Sequence, residues 1–207
     1  MPIRSKLRRG GHGVAKADAK IVRSVAPPKG TVREKTVAIA GKLGDQPELR
    51  TLSAMVVAGG LLRFDRRLIR AGVRMLLAHE LATLGKNMIK DRFDRTRPHT
   101  AKSHGERTVK PGGHSAKSET SFPSGHSAGA TAVARAFGRD YPEQGVPALA
   151  GAVVVAAMQV PRVNHYPSDV AAGMLVGLVS EVVASVVVPA LEGEVKREEP
   201  PPPPPPV

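Results

Sequence analysis

Cysteine and tryptophan are both absent from the 207 residues, and aromatic residues amount to only 3%. Without cysteine, disulfide frameworks and thiolate metal sites are excluded, and the redox compartment is left open. The shortage of aromatic rings removes the stacking platforms that hold single-stranded nucleic acid. It also removes the Trp/Tyr belts of many membrane proteins. Acids are short as well: 18 Asp and Glu stand against 31 Lys and Arg, for a formal charge of +13. That balance favours anionic partners, whether phosphorylated molecules, nucleic acid or an anionic membrane surface, and does not choose among them. No apolar run follows the basic start MPIRSKLRRGG, so no secretory signal is expected.

What is present is organised in three parts. Residues 1–30 are basic, contain glycine and the pair Pro27-Pro28, and are expected to form a mobile arm. Residues 192–207 are a charged run ending in polyproline, a tail with no core of its own. The folded domain should span 31–191 and be all-α, a bundle of five to six helices. TVREKTVAIAGKLG reads as a short amphipathic helix. Asp45-Gln46-Pro47-Glu48 is a start signal, with proline in the first turn. Further helices are expected from there to the turn RFDRR, over 68–90, 124–138, 146–160 and 169–191. A polar loop, 91–121, separates the second and third of these. The valine runs at 153–155 and 186–188 are β-like, but each sits inside a long apolar stretch with no hairpin turn.

The apolar stretch 145–161 carries no charge and 170–191 carries only Glu181, so both approach the ~20 residues of a membrane span. Arg70, Arg74, His79 and Glu80 are costly in lipid unless they face a bundle interior. A membrane-embedded bundle is the expectation. Gly173-x-x-x-Gly177 permits close helix packing.

Three polar clusters carry chemistry. The first, from Lys90 to Arg97-Pro98, ends one helix. The second, Pro123-Ser124-Gly125-His126, starts the next. The third, Arg162 to His165 and Asp169, joins the last two. In an up-down bundle these junctions share one end, so the clusters can converge. Lys90 and Arg97 offer positive charge, Arg97 with a fork that matches phosphate oxygens. Ser124 and Gly125 sit where a helix N-terminus seats an anion. His126 and His165 supply imidazoles, and Asp169, four residues after His165, can orient one ring nitrogen and leave the other as a nucleophile.

The pattern K-x6-RP, then PSGH, then H-x3-D resembles the signature of the type 2 phosphatidic acid phosphatase (PAP2) superfamily, over about residues 45–190. That family includes lipid phosphate phosphatases, bacterial acid phosphatases and vanadium-dependent haloperoxidases. The resemblance implies that His165 attacks phosphorus to form a phosphohistidine, that His126 protonates the leaving oxygen and then activates water, and that Asp169 orients His165. Lys90, Arg97, Ser124 and Gly125 would hold the phosphoryl oxygens, with no metal and no cofactor. The substrate would be a phosphorylated lipid or small phosphoester, at a bacterial inner membrane with the site on the outer face. One departure stands out. The family's third motif usually carries serine and arginine where this chain has Met158 and Gln159. Arg162 is the candidate to reach the phosphate instead.

Plainer readings compete at several positions. Arg92 and Arg95 belong to a basic run of the kind that is usually a solvated face. His99, His104, His114 and Lys117 read as loop surface, and His79 as a satisfied interior residue. The rival functions are a non-catalytic phosphate- or membrane-binding protein with a degenerate site, kept open by Gln159, and a vanadate-dependent haloperoxidase, disfavoured by the chain's size. Nucleic-acid binding through the basic arm is the weakest alternative.

Overall fold

In the computed structural model, residues 2–101, 107–113, 116 and 118–198 are described, with side chains described between 11 and 188. The elements are α1 (Pro2–Val25), α2 (Val32–Lys42), α3 (Gln46–Leu62), α4 (Arg66–Lys90), β1 (Phe93–Asp94), β2 (Lys110–Pro111), α5 (Gly125–Asp140), α6 (Pro142–Met158) and α7 (Pro167–Glu198). The protein is all-α, as expected. β1 and β2 are a two-residue antiparallel ladder inside the long loop. The tail expected over 192–207 is instead helical as far as Glu198, as the end of α7, and residues 199–207, with the polyproline, lie outside the described residues.

Helix starts follow the local chemistry. The Oγ1 of Thr31 caps α2 by accepting from Glu34 N–H, Asp65 caps α4 through Leu68 N–H, and Ser124 caps α5 through Ser127 N–H. Pro47 and Pro142 sit in the first turns of α3 and α6, where a missing N–H costs nothing.

α5 is the axis of the bundle, packed by α4, α6 and α7 and touched by α3. Its run from Ser127 to Ala134 is buried on every side, because Ser, Ala, Gly and Thr keep its cylinder thin. The core is correspondingly alanine-rich: Ala78 and Ala82 of α4, Ala128, Ala132 and Ala136 of α5, and Ala184 of α7, with Leu49 and Met75 filling gaps. Gly173 and Gly177 let α7 lie against the α5 backbone. A Cβ on Gly173 would stand 2.3 Å from the Ser124 carbonyl, and one on Gly177 would stand 2.4 Å from that of Ala128.

Of the charged residues of α4, Arg74 is buried and Arg70 half-buried, whereas Glu80 is exposed and pairs with the exposed Arg50 of α3 at 2.6 Å. Arg70 and Arg74 both bind the buried Asp140 at the end of α5, and Arg67 Nε donates to its backbone carbonyl at 2.6 Å. On the neighbouring face Glu181 of α7, wholly buried, takes Arg139 at 2.6 Å. These pairs lock the end of the bundle opposite the site. His79 is buried with Nδ1 against Glu80, but its Nε2 has no hydrogen-bond partner, so it is interior yet only half satisfied.

The arm expected to be mobile is instead helical over Pro2–Val25. Its stripe Ala15, Asp18, Ala19, Val22, spaced as one helix face, is buried. Val22 packs with Val160 and Tyr166 of the third cluster. Glycine and proline content suggested mobility; the four-residue contact stripe, interleaved with lysines, was the overlooked signal.

Large apolar side chains point outward from α3, α6 and α7, among them Met55, Val154, Leu175 and Val179, the last two more than 60% exposed. Pro167–Val188 is long and apolar enough to cross a membrane.

Gly177→Val should lower thermal stability by about 2 kcal/mol or more through overpacking, whereas Gly59→Ala, which meets only a Leu68 methyl at 3.9 Å, should leave it unchanged or higher; thermal unfolding in detergent compares them.

Candidate active site

α4 ends at Lys90, whose ammonium donates to the Thr120 carbonyl. Beyond it the chain runs alongside its own return strand. Arg95 N–H donates to Glu119 O at 2.7 Å, Arg97 N–H to Ser118 O at 2.7 Å, and Ser121 N–H back to Arg95 O at 3.0 Å. The two ends of the long loop are thereby pinned together, and Ser121 is delivered to the foot of α5. A turn from Gln159 to Tyr166 then brings His165 to the same place. Its backbone is tight: Val163 adopts φ 57°, unfavourable for a β-branched residue, and the Gln159 carbonyl accepts from both Asn164 and His165 N–H at 3.3 Å.

A cavity of about 400 Å³ opens among these ends. Lys90, Arg97, Gly125, His126 and His165 line it, together with Lys86 and the α2–α3 turn from Gly44 to Glu48. The two imidazole ring centroids stand 5.9 Å apart, nearly edge to face, and both rings line the cavity. His165 Nδ1 lies 2.8 Å from the Ser121 carbonyl, an acceptor only, so that nitrogen carries the proton and Nε2 keeps its lone pair.

Asp169 is brought beside His165 but does not hydrogen-bond it: its nearest oxygen is 3.8 Å from Nδ1. The carboxylate accepts instead from Ser121 Oγ at 2.6 Å, Tyr166 N–H at 2.9 Å and Arg95 at 2.5 Å. It therefore orients the histidine indirectly, by fixing the serine whose carbonyl holds the ring, and acts on it as a nearby charge. His126 has its own carboxylate, Asp45, at 2.5 Å from Nε2.

Two expected phosphate contacts are not at the cavity wall. Ser124 is fully buried beneath it, its Oγ capping α5 and accepting from Ser127 Oγ at 2.8 Å, while Gly125 alone faces the cavity. Arg162 lies against Gly41 of α2 and donates to Gln159 Oε1 at 3.4 Å; it is not among the lining residues. Gln159 is buried and ties α6 to α2 by donating to Gly41 O at 3.1 Å.

Four residues that matter here were passed over in the sequence. Lys86, one turn before Lys90 on α4, lines the cavity; a Cβ on Gly125 would press its Cδ at 2.9 Å, so the glycine makes the space. The i, i+4 lysine spacing was the available signal. Arg95, read as part of a solvated run, is 2% exposed, ion-paired to Asp169 and Asp18, and stacked 4.1 Å over the Tyr166 ring. Asp45 was seen only as a helix start, and Asp18 only as part of the arm. His99 is exposed, as expected, with Nδ1 3.1 Å from the Val163 carbonyl; His104, His114 and Lys117 lie outside the described residues.

Burial sets the protonation states. It pushes His165 down to about 4, against the pull of Asp169 and with help from Arg97 and Lys90, so the ring is neutral at pH 7. Burial, with Arg97 and Lys86 adding repulsion, brings Lys90 down to about 7. His126 is lowered by burial, while Asp45 opposes the shift. The arrangement offers a neutral nucleophile, a second imidazole backed by a carboxylate, and three cations around one small cavity.

The sequence profile of the PAP2 superfamily matches residues 71–192. No curated protein matches the chain. Among solved structures, a crystal structure described as the first transmembrane PAP2-type phosphatidylglycerolphosphate phosphatase from Bacillus subtilis superposes with a TM-score of 0.63, at 23% identity, over 90% of each chain.

Because His165 falls from an ordinary 6.5 to about 4 in the fold, the unfolded chain binds more protons between those pH values. Stability is therefore lost as pH falls through that window, by on the order of 3 kcal/mol. Thermal unfolding at pH 7 and pH 4.5 should show a smaller acid loss in His165→Gln than in the wild type.

Proposed function

The chain belongs to the PAP2 superfamily, and on that premise we propose that it is a phosphatase for phosphate monoesters or diphosphates of lipids, working through a phosphohistidine on His165. The observation that carries the reading is the pairing of a neutral His165, its proton held on Nδ1 by a backbone carbonyl, with His126, Lys86, Lys90 and Arg97 across one cavity. His165 Nε2 attacks phosphorus, a P–N bond forms, and the P–O bond to the leaving group breaks as protonated His126, its Nε2–H held by Asp45, gives that oxygen the proton of its other ring nitrogen. Water then attacks the phosphohistidine; His126 takes the water's proton, the P–N bond breaks, and His165 leaves neutral.

Charge developing on the phosphoryl oxygens meets Lys90, Lys86, Arg97 and the α5 N-terminus at Gly125. Lys86 answers the objection raised by Gln159: the charge missing where the family keeps arginine is supplied from α4 instead. That favours turnover over a silent binding site. The cations provide the electrostatic stabilisation, so the reaction is expected to proceed in a chelator.

A lipid substrate is supported by a second, apolar cavity of about 760 Å³ between α3, α5 and α6, lined by Leu49, Leu52, Val133, Phe137, Gly151 and Val155 among others. Glu48 lines both cavities, and a Cβ on Gly44, in the phosphate cavity, would touch Val155 at 2.5 Å. The outward apolar faces of α3, α6 and α7 fit a bundle held in a membrane. Arg63, Arg66 and Arg67 crowd the short turn at the opposite end, which by the charge rule for short loops favours that end inside and the site outside.

Protein in detergent with EDTA should release phosphate from lipid phosphates, and His165→Ala should lower the rate by at least a thousandfold; no release by folded wild-type protein from lipid or soluble phosphoesters would sink the reading. Gly151→Trp, whose ring would enter the apolar cavity, should raise KM for long-chain lipid phosphates about tenfold while leaving a short soluble phosphoester unaffected.

A further inference from the structure

We infer that α1 is a strap that completes the catalytic end, with Asp18 a positioning residue for Asp169 and His165. The inference rests on the phosphatase reading and adds to it a part of the chain outside the residues matched by the family profile, 71–192.

Asp18 is unlike its surroundings. It is the single acid in a helix that carries Arg4, Lys6, Arg8, Arg9, Lys16, Lys20 and Arg23. Lys16, Lys20 and Arg23 are exposed, while Asp18 is 4% exposed. A carboxylate is buried only where partners offset its desolvation, and here the partners are Arg95, which is ion-paired to Asp169, and Ser168, which precedes Asp169 in the chain. Oδ2 accepts from Arg95 Nη2 at 2.7 Å and from Ser168 Oγ at 2.5 Å, and Oδ1 accepts from Ser168 N–H at 3.1 Å. Asp18 thus caps the first turn of α7 from another helix, where an anion is also favoured by the helix dipole.

Arg95 relays the contact. Its Nη1 binds Asp169 Oδ1 at 2.5 Å and Ser168 Oγ at 2.7 Å while its Nη2 holds Asp18. Its Nε donates to the Arg107 carbonyl at 2.7 Å, so the guanidinium is fixed from three sides. From Asp169 the chain of contacts passes through Ser121 to His165 Nδ1. An arginine buried between two carboxylates is neutralised and held in register; with one removed, it is left with excess charge and free to shift, carrying Asp169 with it. Val22, one turn beyond Asp18, packs on Val160 and Tyr166, flanking the turn that presents His165. The same helix therefore seals the nucleophile's loop and sets the charge behind it. None of its described residues lines the phosphate cavity.

The test compares full-length wild type, Asp18→Asn, Asp18→Glu and Lys16→Gln on a soluble phosphomonoester, and measures the rate of His165 carbethoxylation by diethyl pyrocarbonate with mass spectrometry. The inference expects Asp18→Asn to lower kcat about tenfold with KM within twofold, because Asp18 touches no substrate. It expects Asp18→Glu to recover most of the loss and Lys16→Gln to match wild type. His165, 1% exposed in the native fold, should be modified at least threefold faster in Asp18→Asn. An unchanged modification rate overturns the inference whatever the kinetics, as does a kcat within twofold of wild type. Should the wild type hydrolyse nothing, the phosphatase reading fails while the modification rate still decides the role of the strap.

Discussion

The carboxylate of Asp169 is where the three polar clusters are joined. It accepts from Ser121 Oγ, Tyr166 N–H and Arg95, and its backbone carbonyl accepts from Ser124 N–H at 3.0 Å. Those four groups come from the long loop, the turn before α7, the first cluster and the start of α5. An ionised carboxylate at 0% exposure is tolerable because it is so fully bonded. The geometry of the cavity depends on it: Ser121 placed by Asp169 holds His165, and Ser124 placed by Asp169 sets the first turn of α5, from which Gly125 and His126 face the cavity.

Around that hub the bundle solves a packing problem with small residues. α5 is surrounded on all sides, and alanine, glycine and serine let α4 and α7 approach its backbone closely. The tight core leaves the large aliphatic side chains with nowhere to go but outward, onto α3, α6 and α7. In water such a surface would be a liability; against lipid it is a solvent match. The buried ion pairs of Asp140 and Glu181 hold the far end without aliphatic bulk.

The basic balance of the chain is divided between two uses. Lys86, Lys90 and Arg97 face the cavity, where burial and then mutual repulsion bring Lys90 down to about 7. Arg95 points away from it and is spent on two carboxylates. Both kinds occur within one stretch of eight residues from 90 to 97, which is why composition and charge runs do not separate them.

The sequence by itself determined helices α2 to α7, because caps, prolines and apolar periodicity are local, though not α1, whose buried stripe has its partners in the third cluster; it also determined which residues gather at one end, because spacing in an up-down bundle forces the junctions together. His126, His165, Lys90, Arg97 and Gly125 were legible on those grounds. Only the tertiary structure decided which charges are buried and which partner each one takes. Whether Arg95 is solvated or internal depends on Asp18, seventy-seven positions away; whether Asp169 holds His165 directly or through Ser121 is a matter of about an ångström. Arg162 and Gln159 lie against α2 and off the cavity wall for the same reason. Hydrogen-bond and ion-pair energies depend on distance and burial in three dimensions, and spacing along the chain carries neither.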